Sequence, residues 1–474
     1  MHTAVARRAG GLFSVIFLVL STGCFREEAF PLRPGDVAVL HAPEPMAPRP
    51  WLRHAHEDLK HLLPRSRSSA LVTEDLLASN GQPVNVPEHF HLDPGKLDQL
   101  FYNYQGLKCT AEATGQNQSL GMERIDWTGY DETWVPVHPG LSLCGQMGWA
   151  KKDGQVLDAD CIVILPGLLG HNNILRTKDL ADGLRERGFH VLPIELRGHG
   201  RTDERYPDIY YNFSVLETGD LMAISEWLQQ QPHIRRTGLV GFCWGANHGL
   251  LAAWDDARAI DHPNISPRLA THLRPLTEVR HFQAGVIAFS PVLRFEDIIE
   301  STKEPQSKWR HPVLAGLQET IHDRMIYKHH SEPSGSLRTL IDHEFARSEL
   351  SYPGAVEDGL DYLRLLPFRG REDGHKLTDV RIPVLIVHGA NDPLTPSQAV
   401  ADLIARTPNP NVAAEVLPGG GHVGFGVYAR AYYFSLMVNF FDPRTGPVAV
   451  DRGENVPPSN TVNNQPRHVS SVAE

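Results

Sequence analysis

From about Thr133 onward, short apolar runs alternate with longer stretches in which apolar residues recur every three or four positions. The short runs are Cys161–Leu165, His190–Glu195, Gly238–Phe242, Ala284–Phe289, Pro383–His388 and Ala413–Leu417. Runs this brief and this apolar fit strands buried on both faces. The helical spacing lies between them, at Leu175–Arg187, Leu216–Gln230 and Ser397–Ala405. Ahead of the first run, Trp134–Val137 and Leu141–Ala150 read as a hairpin pair. Strands alternating with amphipathic helices build βαβ units, so the pattern predicts an α/β fold with a mostly parallel central sheet and helices on both faces. No internal repeat is visible.

The two ends lack this pattern. Arg7 and Arg8 precede the apolar stretch Gly11–Leu20, followed by Ser21-Thr22-Gly23-Cys24. A basic start, a short apolar core and small residues read as a secretory signal, so residues 1–24 stand outside the fold. A Cys directly after small residues resembles the lipobox of bacterial lipoproteins, although Ser21 stands where that motif usually has Leu and Leu20 comes one position early. The resemblance implies acylation of Cys24 and a lipid anchor at a membrane surface in the cell envelope. Residues 25–132 form a partly irregular extension rich in Pro and His, with one short helix predicted at Leu71–Ala78. Its histidines (His54, His56 and His61, then His89 and His91) have no third ligand at a recognised spacing and read as solvated loop residues. The regular domain spans 133–445, and residues 446–474, rich in Pro, Asn, Ser and Gly, are expected to be disordered.

Composition narrows the class of partner. The 474 residues carry 45 Lys+Arg against 56 Asp+Glu, a formal net charge of −11. Phosphate recognition needs clustered Lys and Arg, which this chain lacks, so nucleic acid is not the expected partner. No stretch reaches the roughly 18–20 apolar residues that span a bilayer, which excludes a polytopic membrane protein. Oligomeric state is not legible. Export would place the remaining cysteines in an oxidising compartment. Cys109 and Cys144 are a conceivable pair, decided by Cα geometry that sequence leaves open. Cys161 opens an apolar strand and reads as a buried thiol.

Candidate chemistry sits at the ends of the predicted strands. Gly241-Phe242-Cys243-Trp244-Gly245 lies between the strand Gly238–Phe242 and a helical stretch from Ala246 to Trp254, the arrangement of a nucleophile elbow with Cys where Ser usually stands. The sharp strand-to-helix turn calls for small residues two before and two after the nucleophile. The N–H of Trp244, at a helix N-terminus, is placed to receive developing negative charge, and the same helix end favours a thiolate. The run Ile382–Val387 leads into His388-Gly389-Ala390-Asn391-Asp392-Pro393, which sets a carboxylate at the C-terminal edge of the sheet. Asp392 is the expected partner of an imidazole, while capping of the next helix suits Thr395 or Ser397 better. Gly419-Gly420-Gly421-His422-Val423-Gly424-Phe425 follows the last strand, and its flexible backbone presents His422 as the candidate base. Leu165-Pro166-Gly167-Leu168-Leu169-Gly170, after the central strand, offers the N–H of Leu168 as a second oxyanion donor. His199, in Arg197-Gly198-His199-Gly200, reads as a structural loop residue. The catalytic candidates are thus Cys243, Asp392 and His422, with Leu168 and Trp244 as the oxyanion hole; no metal or organic cofactor is implied.

With these residues in place, the stretch from about Thr133 to Asp442 resembles an α/β-hydrolase. It is most similar to the YheT-like (AB-hydrolase type 4) branch, through Gly241-Phe242-Cys243-Trp244-Gly245-Ala246-Asn247, the segment Gly420–Phe425 and the turn Arg197–Gly200. It departs from that branch at Pro166-Gly167, at Ala246 and above all at Cys243. The resemblance implies a hydrolase cleaving carboxylic ester or thioester bonds through an acyl-enzyme intermediate. Cys in this elbow also resembles polyhydroxyalkanoate synthases, which makes acyl transfer the alternative, and a non-catalytic scaffold is a third. The segment of about 291–380, with Ile298, Trp309, Leu314, Leu317, Ile321 and Met325 at near-helical spacing, is expected to be a helical cap insertion over the site. An apolar cap would favour acyl substrates over sugars.

Overall fold

A computed structural model of the chain describes residues 38–40, 106–113 and 125–444, apart from 173, 309–310, 367–375 and 418. The signal segment with Cys24, the helix expected at Leu71–Ala78, His54, His56, His61, His89 and His91, Trp309 and the 446–474 tail lie outside the described residues. Eleven strands are described: β1 (Ala38–Leu40), β2 (Asp131–His138), β3 (Leu141–Met147), β4 (Lys151–Lys152), β5 (Gln155–Val156), β6 (Ala159–Leu165), β7 (His190–Pro193), β8 (Ile234–Phe242), β9 (Gly285–Phe289), β10 (Val384–Gly389) and β11 (Val412–Leu417).

Seven of them form one sheet in the order β1-β11-β10-β9-β8-β6-β7. All pairings are parallel except β1 against β11. The alternation of side chains sorts the apolar runs cleanly. On β6, Cys161, Val163 and Leu165 join the apolar layer under the helices Glu217–Gln229 and Trp244–Asp255, while Ile162 and Ile164 join the layer under Leu175–Glu186 and Arg430–Phe441. Both faces are therefore covered, which is why the central stretches of these strands are almost continuously apolar. This is the α/β-hydrolase fold with its mostly parallel sheet.

The hairpin β2–β3 pairs Trp134 with Cys144 and Val135 with Leu143, turning at Gly140 (φ 83°). It continues the sheet past β7 through antiparallel bridges Gly145–Ile194 and Gly148–Val191. The expected elements differ from the observed ones mainly at their ends: β8 begins at Ile234 and the second helix runs Glu217–Gln229. The larger difference is in the segment before residue 133. Two of its pieces belong to the domain, β1 at the sheet edge and a helix over residues 106–113. Neither carries an apolar period long enough to reveal it, since each gains its partners from residues more than 270 positions away. Cys109 and Cys144 form no disulfide. Cys109 lies against the loop after β11 and Cys144 on β3 beside β7, with four strands between those edges. Strands stand ~4.8 Å apart, so the two thiols are far beyond bridging reach. Cys161 is a fully buried thiol.

Four helices, Phe295–Ser301, Pro312–Tyr327, Leu337–Arg347 and Ala355–Leu363, lie between β9 and β10. Ionic contacts tie this insertion to the loops after β7. Glu344, fully buried, accepts hydrogen bonds from Arg324 Nε (2.8 Å) and from the main-chain N–H of Tyr211 (2.9 Å). Arg324 also donates to the Gly198 carbonyl at 2.8 Å. Beneath it, Arg197 pairs with Asp220 through two 2.7 Å hydrogen bonds. No helix among the described residues is long and apolar enough to cross a membrane.

Candidate active site

The C-terminal ends of β6, β8, β10 and β11 bring the predicted residues together. Cys243 ends β8 with φ 55° and ψ −119°, a backbone state costly for a residue with a Cβ. Close approach on both sides forces it. A Cβ on Gly241 would lie 2.2 Å from the Gly245 carbonyl oxygen, and one on Gly245 would lie 2.2 Å from that of Pro166. The Cys243 N–H donates to the Phe289 carbonyl at 2.9 Å, pinning the turn to β9. The helix that follows, Trp244–Asp255, is held by its own side chains. Trp244 Nε1 donates to the Phe213 carbonyl at 3.0 Å, and the His248 ring shares hydrogen bonds with Ser214 Oγ (2.7 Å) and Tyr211 OH (2.9 Å). Phe213 and Ser214 both have positive φ, and Glu217 accepts the N–H groups of Asn212 and Ser214 at 2.8 Å to hold that bend.

His422 sits across the turn on the loop after β11. Its Nδ1 shares a 2.8 Å hydrogen bond with Asp392 Oδ2, and both side chains are buried. The other ring nitrogen, Nε2, is buried on the side of Cys243, whose charge acts on the ring. Asp392 binds the imidazole and ties its own loop, and neither bond reaches the helix Gln398–Ala405. Oδ2 takes the imidazole and the Thr395 hydroxyl, while Oδ1 accepts the N–H groups of Leu394 (2.8 Å) and Thr395 (2.9 Å). Ser397 caps nothing with its side chain.

The electrostatics follow from these contacts. Burial pushes the Cys243 thiol up, but the charge and hydrogen bond of His422, with the main-chain N–H groups of Leu168 and Trp244 at the sulfur, outweigh burial and leave it below its ordinary value. Burial works against an imidazolium at His422, yet the charges of Asp392 and Cys243 and their hydrogen bonds raise it to about 10. Burial would raise Asp392, and the charge and hydrogen bond of His422 instead hold it far below the usual carboxylate range.

The oxyanion candidates also converge here. Gly167 passes so near the nucleophile that a Cβ would lie 3.1 Å from Cys243 Cβ. The loop carrying Leu168 is fastened by Asn172, whose N–H donates to Glu195 Oε1 at 2.9 Å and whose side chain donates to the Pro193 carbonyl at 3.1 Å. His199 is buried, with Nδ1 against the Arg197 carbonyl (2.8 Å) and its ring edge-on to Tyr211, as a loop residue held in place. Sequence reasoning missed three residues. Asn391 Oδ1 accepts the Gly421 N–H at 2.9 Å, Thr110 Oγ1 accepts the His422 N–H at 2.8 Å, and Arg176 lies over the Phe242 ring while reaching the Val423 carbonyl. Asn391 adjoins a predicted residue, but nothing in its type announces the bond. Among the described residues no group of three or more His, Cys, Asp or Glu is arranged to hold a metal ion.

Residues 162–432, more than half of the chain, match the profile of a family described as "Alpha/beta hydrolase family". The fold is similar to several solved structures. A Pyrococcus furiosus esterase is 17% identical, with 70% of this chain and 94% of that one covered at a TM-score of 0.43. Est1E from Butyrivibrio proteoclasticus, solved with ferulic acid bound, is 16% identical over 64% of this chain and 98% of that one, at 0.39. A proline iminopeptidase from Mycobacterium smegmatis is 16% identical over 66% and 99%, at 0.37.

Proposed function

We propose that this chain, which belongs to the alpha/beta hydrolase family, cleaves carboxylic ester or thioester bonds through a Cys243–His422–Asp392 triad and an acyl-enzyme intermediate. One observation carries the reading: a strained turn that presents Cys243 (φ 55°) stands at the same sheet edge as a buried His422–Asp392 pair 2.8 Å apart, with the Gly167–Leu168 loop packed against the cysteine.

The thiolate attacks the acyl carbonyl, and the two N–H groups that stabilised the sulfur's charge take up the charge on the carbonyl oxygen. His422, already protonated, gives its Nε2 proton to the leaving alcohol or thiol as the tetrahedral adduct collapses to a thioester on Cys243. Water then loses a proton to His422 and attacks the thioester. Collapse of the second adduct releases the acid and restores thiolate and imidazolium. Asp392 keeps Nδ1 protonated and the ring in one orientation throughout.

Within the family we place the chain beside the YheT-like branch on the residues Gly241–Asn247, with Cys243 as its departure. Export and lipid anchoring at Cys24 complete the proposal, resting on residues 1–24 alone. The deciding experiment incubates the purified protein with p-nitrophenyl acetate and follows intact mass beside Cys243→Ala and Cys243→Ser. A transient acetyl adduct on Cys243 with continued p-nitrophenol release supports the hydrolase. An adduct that accumulates until an alcohol or thiol acceptor is added would favour acyl transfer. No adduct and no release with short or long acyl chains would remove the catalytic reading.

A further inference from the structure

The histidine loop is strained where its chemistry lies. Gly421 has φ 56° and Val423 φ 61°, so His422 sits between two left-handed residues, the second β-branched and poorly suited to that state. Such a loop holds its shape only when its surroundings over-determine it. Those surroundings come from far away in the chain. The helix 106–113 lies with its backbone directly on the loop: a Cβ on Gly421 would fall 2.1 Å from the Gly106 carbonyl oxygen, and one on Gly424 would fall 2.5 Å from that of Cys109. A Cβ on Gly106 would fall 2.2 Å from the Asn391 carbonyl oxygen, so the helix also abuts the loop that carries Asp392. From this helix Thr110, 2% exposed, turns its hydroxyl two ways, donating to Gly106 O at 2.7 Å and accepting the His422 N–H at 2.8 Å.

We infer that Thr110 is a positioning residue for His422, and that the segment preceding residue 133 acts in catalysis by bracing the base rather than serving only as an extension. The inference rests on the assignment of His422 as the base. The hydroxyl fixes the one main-chain donor of His422 without touching its ring, so the imidazole is aimed by a bond from the helix on one side and by Asp392 on the other. Both bonds are buried, so loss of the hydroxyl leaves the His422 N–H without this partner. The ring swings on its backbone, Nε2 leaves the sulfur, and the ion pair loosens.

The test compares the full chain with Thr110→Val, which keeps the shape and removes the hydroxyl, and Thr110→Ser, which keeps the hydroxyl. Each is assayed for kcat and KM on p-nitrophenyl acetate, and for the pH midpoint of Cys243 alkylation by iodoacetamide. Thr110→Val is expected to lower kcat on the order of 10–100-fold with KM within about twofold. It should also move the alkylation midpoint up toward that of an ordinary thiol, and Thr110→Ser should restore both. An alkylation midpoint unchanged in Thr110→Val, or a folded Thr110→Ser as impaired as Thr110→Val, would overturn the inference. Should Thr110→Val fail to fold, Thr110→Ala takes its place beside Thr110→Ser. If the wild type hydrolyses no ester but its midpoint still moves on loss of the hydroxyl, the brace stands and the ester reading fails.

Discussion

The nucleophile turn and the histidine loop are both sharp, strained and lined by glycine, and they are held in opposite ways. The turn is built from one continuous piece, β8, Cys243 and the helix Trp244–Asp255, with its glycines packed against each other and against the neighbouring β6 loop. The histidine loop is short of local support. Its N–H groups go to Asn391 and Thr110, its Val423 carbonyl to Arg176, and its imidazole to Asp392, four residues on three separate segments. A strained geometry stored in a contiguous element is part of the fold, whereas one assembled from remote side chains is adjustable independently of the fold. Substitutions in the first region should therefore act on stability, and substitutions in the second on turnover.

The largest effect expected lies where the two regions meet. Cys243→Ala should lower kcat by about 10⁴-fold or more with the unfolding midpoint little changed, His422→Ala should lower kcat as far and also lower the midpoint because Asp392 loses its buried partner, and the double variant should lose no more turnover than either alone because the pair acts as a unit. Steady-state kinetics on p-nitrophenyl acetate checks this, and additive losses would separate the two regions functionally. Next, Gly245→Ala must move the Pro166 backbone, and urea unfolding should show a loss of about 3 kcal/mol. Gly421→Ala meets the Gly106 carbonyl of the helix 106–113, a segment separate from the strand–turn–helix, so its stability loss should be smaller and its fall in kcat larger; the reverse ranking would erase the contrast. Trp244→Phe removes the donor to the buried Phe213 carbonyl and should cost about 1–3 kcal/mol in the same unfolding assay.

The mildest test is pH. His422, raised in the folded chain to about 10, contributes stability in full below its unfolded value of ~6.5 and loses it as pH rises through about 10. Cys243, lowered in the folded chain, contributes above its unfolded value of ~8.5 and loses that contribution as pH falls. Accordingly, kcat/KM should rise on a limb below the ordinary thiol range, stay level, and fall as pH approaches about 10. A single rise near the ordinary thiol value would show that the two groups are uncoupled.

The chain by itself determined the alternation of strands and helices, the class of fold, and the three strand-end loops that the structure gathers at one edge of the sheet. Apolar periodicity, and glycine on either side of a nucleophile, are local consequences of burial and of backbone crowding, and local consequences are written within a few residues of their cause. That is why the strand-end positions of Cys243, Asp392, His422, Leu168 and Trp244, which the structure brings together, could be placed from sequence, and why Gly241 and Gly245 read as requirements of a tight turn. Tertiary structure alone decided the edge strand Ala38–Leu40, the helix 106–113, the double duty of Asp392 and the separation of Cys109 from Cys144. Thr110 shows the reason most plainly. A threonine in a short helix carries no mark of its partner, and the His422 N–H it receives lies 312 residues along the chain, brought within 2.8 Å only because the sheet places β11 and its loop beside that helix.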